Sequence, residues 1–174
     1  VVSTVVCSGI LIVLYSLYNG ISPMPTSPKV KRQLLHILSH NEIQGTIYEL
    51  GSGWGTLAFA LAQRFPKCRI IAYENSLVPY IYSQIYKLVI KTENLHIKQE
   101  NFFNVPLSKA DVIVCYLSPN IMACLQPKLE SELRQGTLVL TNTFALPSWI
   151  PQQTVEVEDL YGTKIYIYLN QNKI

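Results

Sequence analysis

The sequence predicts an α/β domain: a sheet of five parallel-type strands, extended to seven by a terminal β-hairpin and preceded by one N-terminal transmembrane helix. Three observations carry this prediction. Short apolar runs alternate with stretches of helical period through the middle of the chain. The first run ends in the turn Gly51-Ser52-Gly53-Trp54-Gly55 and the second in the acid Glu74. Near the C-terminus, residues 154–159 and 164–169 alternate apolar and polar side chains around Leu160-Tyr161-Gly162-Thr163, a hairpin pattern. Strands separated by helices pair in parallel through right-handed crossovers, whereas a hairpin makes one of its strands antiparallel to a neighbour.

Residues 1–28 contain no Lys, Arg, His, Asp or Glu, and residues 1–18 have only Ser3, Thr4, Ser8 and Ser16 as clearly polar members. Eighteen helical residues reach about 27 Å, just enough to cross a hydrocarbon core of about 30 Å. Tyr15 and Tyr18 suit an interfacial belt, and the first charges are Lys29, Lys31 and Arg32, with no acid until Glu42. The positive-inside tendency then places the rest of the chain on the cytoplasmic or matrix-like side of a single-pass membrane protein. A cleaved signal peptide would want a charged n-region and a small-x-small site, neither of which is visible. A buried core helix is the other reading of these residues. The predicted organisation is an anchor at 1–18, a Pro-rich linker at 19–28 and an enzymatic domain at 29–174.

The linker, Ser22-Pro23-Met24-Pro25-Thr26-Ser27-Pro28, leads into a helix on which Val30, Leu34, Ile37 and Leu38 recur, with Ser27 as its cap and Pro28 at its first position. A strand follows at 46–50, then a helix at 57–65 closed by Pro66. The pattern continues with a strand at 69–74, a helix at 77–91, and strands at 95–99 and 111–117. A helix at 120–134 carries Pro127 near a kink or boundary, and a strand at 137–143 completes the parallel set.

Composition narrows the function. With 174 residues, 49% of them hydrophobic and 14% charged, the chain holds one ordinary domain and is no disordered segment. A net charge of +3, without a basic patch interleaved with aromatics, argues against a nucleic-acid partner. Cys7, Cys68, Cys115 and Cys124 show no C-x-x-C spacing, and His36, His40 and His96 form no ligand pattern with them, so no metal is expected.

The informative motif is Glu49-Leu50-Gly51-Ser52-Gly53-Trp54-Gly55. Glycines there let the backbone turn sharply and approach a ligand, and the following helix offers free N–H groups. Glu74 stands 19 residues beyond Gly55, where a carboxylate can accept both hydroxyls of a ribose. The pair is a nucleoside-binding signature. A dinucleotide fingerprint would place its third glycine at position 56, which is Thr56.

The E-x-G-x-G-x-G pattern resembles motif I of class I S-adenosylmethionine-dependent methyltransferases, which implies a Rossmann-like seven-stranded sheet. The resemblance narrows to the small membrane-anchored protein-lysine N-methyltransferases of mitochondrial type. It rests on the P-x-P-T-S-P stretch, Tyr48-Glu49-Leu50-Gly51-Ser52-Gly53, Ala72-Tyr73-Glu74-Asn75, Asn101-Phe102-Phe103 and Phe144-Ala145-Leu146-Pro147-Ser148-Trp149-Ile150-Pro151. It implies S-adenosyl-L-methionine as cofactor, held by Thr26, Glu49, Gly51, Ser52, Gly53, Gly55, Glu74 and Asn75, with the adenine near Asn101 and Phe102. It also implies a protein substrate at a membrane. Two positions depart from the pattern: Trp54 stands where many relatives have Asp, and Asn101 where an Asp usually faces the adenine amino group. An amide oxygen can accept that bond without the charge.

Methyl transfer is an in-line displacement at a sulfonium carbon, so the protein must align the nucleophile and keep it unprotonated. A lysine amine has a reference pKa of about 10.4, and desolvation disfavours its ammonium form. Tyr116, Ser118 and Pro119 leave the fourth strand beside the expected methyl group and are the candidate catalytic residues; Phe144 and Trp149 are expected to wall the substrate pocket. A methyltransferase for a lipid or hydrophobic small molecule, and a module that binds cofactor without catalysis, are the alternatives.

Overall fold

The computed structural model describes residues 26–41 and 43–171. The transmembrane helix expected over residues 1–18 therefore lies outside the described residues, as does most of the linker. Among the described residues no helix is long and apolar enough to cross a membrane.

Helix α1 spans Pro28–His40; the Ser27 hydroxyl accepts the Val30 N–H at 3.3 Å and Pro28 opens the first turn, as the linker sequence requires. Strand β1 is Thr46–Leu50, α2 Thr56–Arg64, β2 Arg69–Tyr73, α3 Leu77–Ile90 and β3 Leu95–Lys98. A single 3₁₀ turn, Phe102–Asn104, precedes β4, Val112–Cys115; α4 is Pro119–Glu132, β5 Leu138–Asn142, β6 Gln153–Glu156 and β7 Lys164–Leu169. The strands form one seven-stranded sheet in the order β3-β2-β1-β4-β5-β7-β6. The first five run parallel, and β7 is antiparallel to both β5 and β6. This is the seven-stranded Rossmann-like sheet that the sequence predicts.

Three boundaries differ from expectation for physical reasons. Strand β4 is shorter than 111–117 because its partner β1 ends at Leu50, opposite Cys115, and Tyr116 onward turns into α4. At its other end Asp111 still bonds through its backbone to Thr46 and Leu138, while its carboxylate accepts the Thr46 N–H at 2.7 Å and pairs with Arg134 at 2.9 Å. Strand β6 stops at Glu156 because Asp159 builds the following turn, accepting N–H bonds from Tyr161 and Thr163 at 3.1 and 2.9 Å. Pro127 lies inside α4 rather than at a boundary, so the helix continues past one missing N–H donor.

Both sheet faces are buried. Ile47, Ile70, Val112 and Leu140 meet α1 and α2 on one side. On the other, Tyr48, Ile71, Ile113 and Val139 meet Met122, Leu125 and Leu129 of α4, with Phe102, Leu107 and Leu146 filling the flanks. Among the described residues α4 is the one α-helix on this second face; irregular chain at 101–110 and 143–151 covers the remainder.

Candidate active site

The strand order reverses between β1 and β4, so the carboxyl ends of these strands open a crevice where ligands of such sheets bind. The turn leaving β1 is stitched to the end of β2: the Gly51 and Ser52 N–H groups both donate to the Tyr73 carbonyl at 2.9 Å. Gly51 has φ +74°, and a Cβ there would stand 2.8 Å from Leu117 Cδ2, so the turn and the β4–α4 connection touch. Gly53 has φ +53°, and among the described residues nothing lies within 4 Å of where its Cβ would be. Its backbone borders open space that a ligand can enter.

Two acids support this turn. Glu74 was expected to present its carboxylate outward from the strand end; instead it is 1% exposed and built into the scaffold. One oxygen accepts the Gly53 N–H at 2.7 Å and the other the Ser76 N–H, also at 2.7 Å. It thereby fixes the glycine turn against the start of α3. Each oxygen retains a second lone pair. Glu49, on β1, is buried, and burial, reinforced by the nearby Glu74 carboxylate, pushes its carboxyl up to about 8.

Glu49 Oε2 and Ser52 Oγ are buried without hydrogen-bond partners. Unpaired buried polar atoms are costly, and here they lie within three residues of one another at the mouth of the sheet. An acceptor suited to a cation, a free hydroxyl and the open space at Gly53 fit the amino-acid and nucleoside portions of S-adenosyl-L-methionine.

The remaining expected cofactor residues are spread along the same rim. Asn75 follows Glu74 and is exposed. The Asn101 side-chain oxygen accepts the Phe103 N–H at 3.0 Å and so caps the 3₁₀ turn that buries Phe102. Lys29 donates to the Glu158 carbonyl in the β6–β7 turn, which brings the start of α1, and half-buried Thr26 with it, to the β7 side of the rim.

Past the end of β4, Tyr116 and Phe144 are brought together with ring centroids 6.5 Å apart and planes within 13°. Ser118 precedes the first turn of α4 without a side-chain capping bond, and Pro119 begins the helix. Trp149 is placed elsewhere. Its Nε1 donates to Glu130 at 2.8 Å, three turns down α4, and its ring meets Tyr168 edge-on at 5.9 Å. The Ser148 N–H donates to Gln126 on the same helix at 2.8 Å. Trp149 fastens the 144–151 segment to α4, and Phe144 alone of the two expected wall residues stands with Tyr116.

Sequence reasoning missed two contributors. Leu117 closes on Gly51, a contact no local pattern announces. Thr143 adopts φ +69°, an uncommon conformation for a β-branched residue. It is held by Thr141 Oγ1 donating to the Phe144 carbonyl at 2.7 Å and by the Phe144 N–H donating to Asn142 at 2.8 Å. This strained turn is what aims Phe144 at Tyr116. Nearby Cys115 is no nucleophile: burial pushes its thiol up to about 12.

A family model described as the ANTKMT methyltransferase domain matches residues 49–153. A protein-lysine N-methyltransferase of Saccharolobus islandicus (strain REY15A) is 32% identical over 151 residues, covering 84% of this chain and 91% of that protein. A lysine N-methyltransferase of Mus musculus, named for ATP synthase, is 27% identical over 135 residues, which are 75% of this chain and 52% of the mouse protein. Among solved structures, an RNA methyltransferase from Salinibacter ruber in complex with S-adenosyl-L-homocysteine matches with TM-score 0.74 and 25% identity, covering 87% of this chain and 96% of that one.

Proposed function

The chain belongs to the ANTKMT methyltransferase family of S-adenosyl-L-methionine-dependent enzymes, and from that premise we propose that it methylates lysine side chains of a protein at a membrane. The observation that carries the acceptor assignment is the Tyr116–Phe144 pair, an aromatic wall beside the switch point with no charged group of its own. The lysine specificity named for the Saccharolobus relative supports it.

Glu49, Gly51, Ser52, Gly53 and Glu74 would hold the cofactor, which supplies a methyl group on a positively charged sulfur with a neutral leaving group. The protein's own work is positional. Tyr116 and Phe144 exclude water from an incoming lysine, and desolvation lowers the amine's pKa towards the neutral, nucleophilic form. The Tyr116 hydroxyl accepts an N–H from that amine and fixes the direction of its lone pair. Buried Glu49, which carries its proton at neutral pH when no cation faces it, provides a carboxylate on demand for the cofactor's ammonium group.

The membrane part of the proposal rests on the uncharged residues 1–18 and the basic Lys29, Lys31 and Arg32 that follow, which favour a single-pass anchor with the enzymatic domain on the cytoplasmic or matrix-like side. Incubating the full chain and methyl-labelled cofactor with membrane extracts tests the whole reading. Label in protein, with a shift of about 14 Da on a lysine, is the expected result; label in extractable lipid would instead make the acceptor a lipid.

A further inference from the structure

Helix α3 is apolar on its outward side. Val78, Ile81, Tyr82, Ile85, Leu88 and Val89 occupy one continuous arc of its surface and are all exposed, Leu88 by 78% and Val89 by 73%. Inward, Tyr80 and Ile90 pack on the core, and polar residues stand beside them. Ser83 is the helix's buried residue, and Gln84 donates to the Ile97 carbonyl of β3 and to the Tyr80 hydroxyl, each at 3.0 Å. An ordinary surface helix is polar on its outward side, and apolar patches of this extent mark interaction sites. Aromatic rings carry the patch towards the glycine turn: Tyr86 stacks on Tyr82 at 6.1 Å, and Tyr82 meets Trp54 edge-on at 5.3 Å.

Charge identifies what covers this face. Helices α2 and α3 contain no acidic residue; Arg64 ends α2 close to the α3–β3 connection, Lys87 lies in the last turn of α3, and Lys91 follows it, with Glu93 the one acid of that connection. A second copy of the chain would bring the same basic rim against itself. The N-terminal residues enter α1 beside Glu158 of the β6–β7 turn, at the far edge of the sheet from β3, against which α3 packs. An apolar helix face with tyrosines and no acid of its own, edged by Arg64, Lys87 and Lys91 against the single carboxylate of Glu93, matches the interface of an anionic bilayer.

We propose that the outward arc of α3 is a bilayer-docking face: the helix lies along the surface of an anionic membrane and holds the glycine-turn side of the crevice towards it. At 1.5 Å per residue its contact line is about 21 Å long. The proposal shares the membrane with the functional reading above but none of its residues, since that anchor is assigned to residues 1–18.

The test uses the full chain with Cys7 and Cys124 changed to Ser and an environment-sensitive fluorophore on Val89→Cys, or on Ser131→Cys of α4 as the opposite-face control. It is mixed with vesicles of phosphatidylcholine and phosphatidylglycerol containing brominated acyl chains. The expected result is a blue shift and bromine quenching at position 89 and neither at 131. In an Ile85→Glu/Leu88→Glu chain carrying the same label at 89, its helix content checked by circular dichroism, the bromine quenching should fall roughly tenfold or more, whether or not the anchor still holds the chain on the vesicle. A chain that sediments with vesicles while the label at 89 stays in water overturns the docking face and leaves the anchor standing. No vesicle association overturns both. A concentration-dependent dimer without lipid, abolished by Ile85→Glu, would give the face to a second copy and likewise overturn the proposal.

Discussion

The Glu74 carboxylate accepts the Gly53 amide at 2.7 Å across 21 residues of sequence, joining the end of β2 to the centre of the glycine turn. Because its other oxygen holds Ser76, one side chain sets both the cofactor turn and the start of α3.

Replacing Glu74 with Ala therefore takes the acceptor from the buried Ser76 N–H and from the half-buried Gly53 N–H. Charge-assisted hydrogen bonds are worth about 1.5–3 kcal/mol, which corresponds to roughly one to two powers of ten in the cofactor dissociation constant. The same variant should melt lower than wild type without cofactor, as the turn loses its clamp. Calorimetric titration and thermal unfolding measure both; an unaltered melting temperature would mean that the two backbone bonds contribute nothing.

Glu49 makes stability depend on pH in the direction opposite to most carboxylates. Its carboxyl ionises near 8 in the fold and at the ordinary value of 4.5 when unfolded, so the native state binds the extra proton between these limits. Stability conferred by the neutral acid is complete below about 4.5 and declines as pH rises through about 8. Glu49→Gln, neutral throughout, should flatten this decline and melt above wild type at the alkaline end. Its cofactor affinity should fall, since the carboxylate is lost.

Cofactor binding to wild type at neutral pH should also release protons, as a bound ammonium draws Glu49 into its charged form. Titrations in buffers of different ionisation enthalpy report the number released. Zero release in wild type would show that no cation approaches this acid.

Gly51→Ala introduces a methyl group 2.8 Å from Leu117 Cδ2 at a residue with φ +74°. A loss of about 1–3 kcal/mol is expected from strain and collision together. Trimming Leu117 to Ala in the same chain should recover the collision part and leave the backbone part. A purely additive double-mutant cycle would sever the contact between the two loops.

Trp149→Phe and Tyr116→Phe should separate scaffold from site. The first removes the bond to Glu130 and should lower stability by about 1 kcal/mol or somewhat more, with kcat largely retained. The second leaves the ring beside Phe144 and should lower kcat at an unchanged melting temperature. A Trp149→Phe enzyme with normal stability and impaired turnover would put the indole back in the substrate pocket.

Much of the fold was legible because local chemistry and global topology agree. Ser27 and Pro28 mark a helix start wherever they precede a helical period, and apolar runs ending in glycine or an acid mark strands of a buried sheet. The turn at the candidate site was legible where glycine requirements are local, at Gly51 and Gly53. What escaped depends on distant partners. Trp149 reads as a pocket residue until Glu130 is found 19 positions away taking its N–H. Glu74 reads as an outward ligand until two loops close over it. In α3, the sequence Leu-Val-Pro-Tyr-Ile-Tyr-Ser-Gln-Ile-Tyr-Lys-Leu-Val-Ile shows abundant apolar surface but not that Gln84 would be spent on the edge of β3.

The Trp149 latch has a consequence for how this enzyme changes over evolutionary time. The proposed cofactor cradle is built by β1, β2 and their turns, whereas Phe144 hangs on a short ribbon fastened to α4 by Trp149 and Ser148. The ribbon covers a sheet face with few other tenants, so it can be lengthened, shortened or exchanged without rebuilding the cradle. Acceptor preference is then heritable separately from cofactor use: a chimera that takes residues 144–151 from a relative should inherit that relative's choice of substrate while keeping this chain's affinity for S-adenosyl-L-methionine.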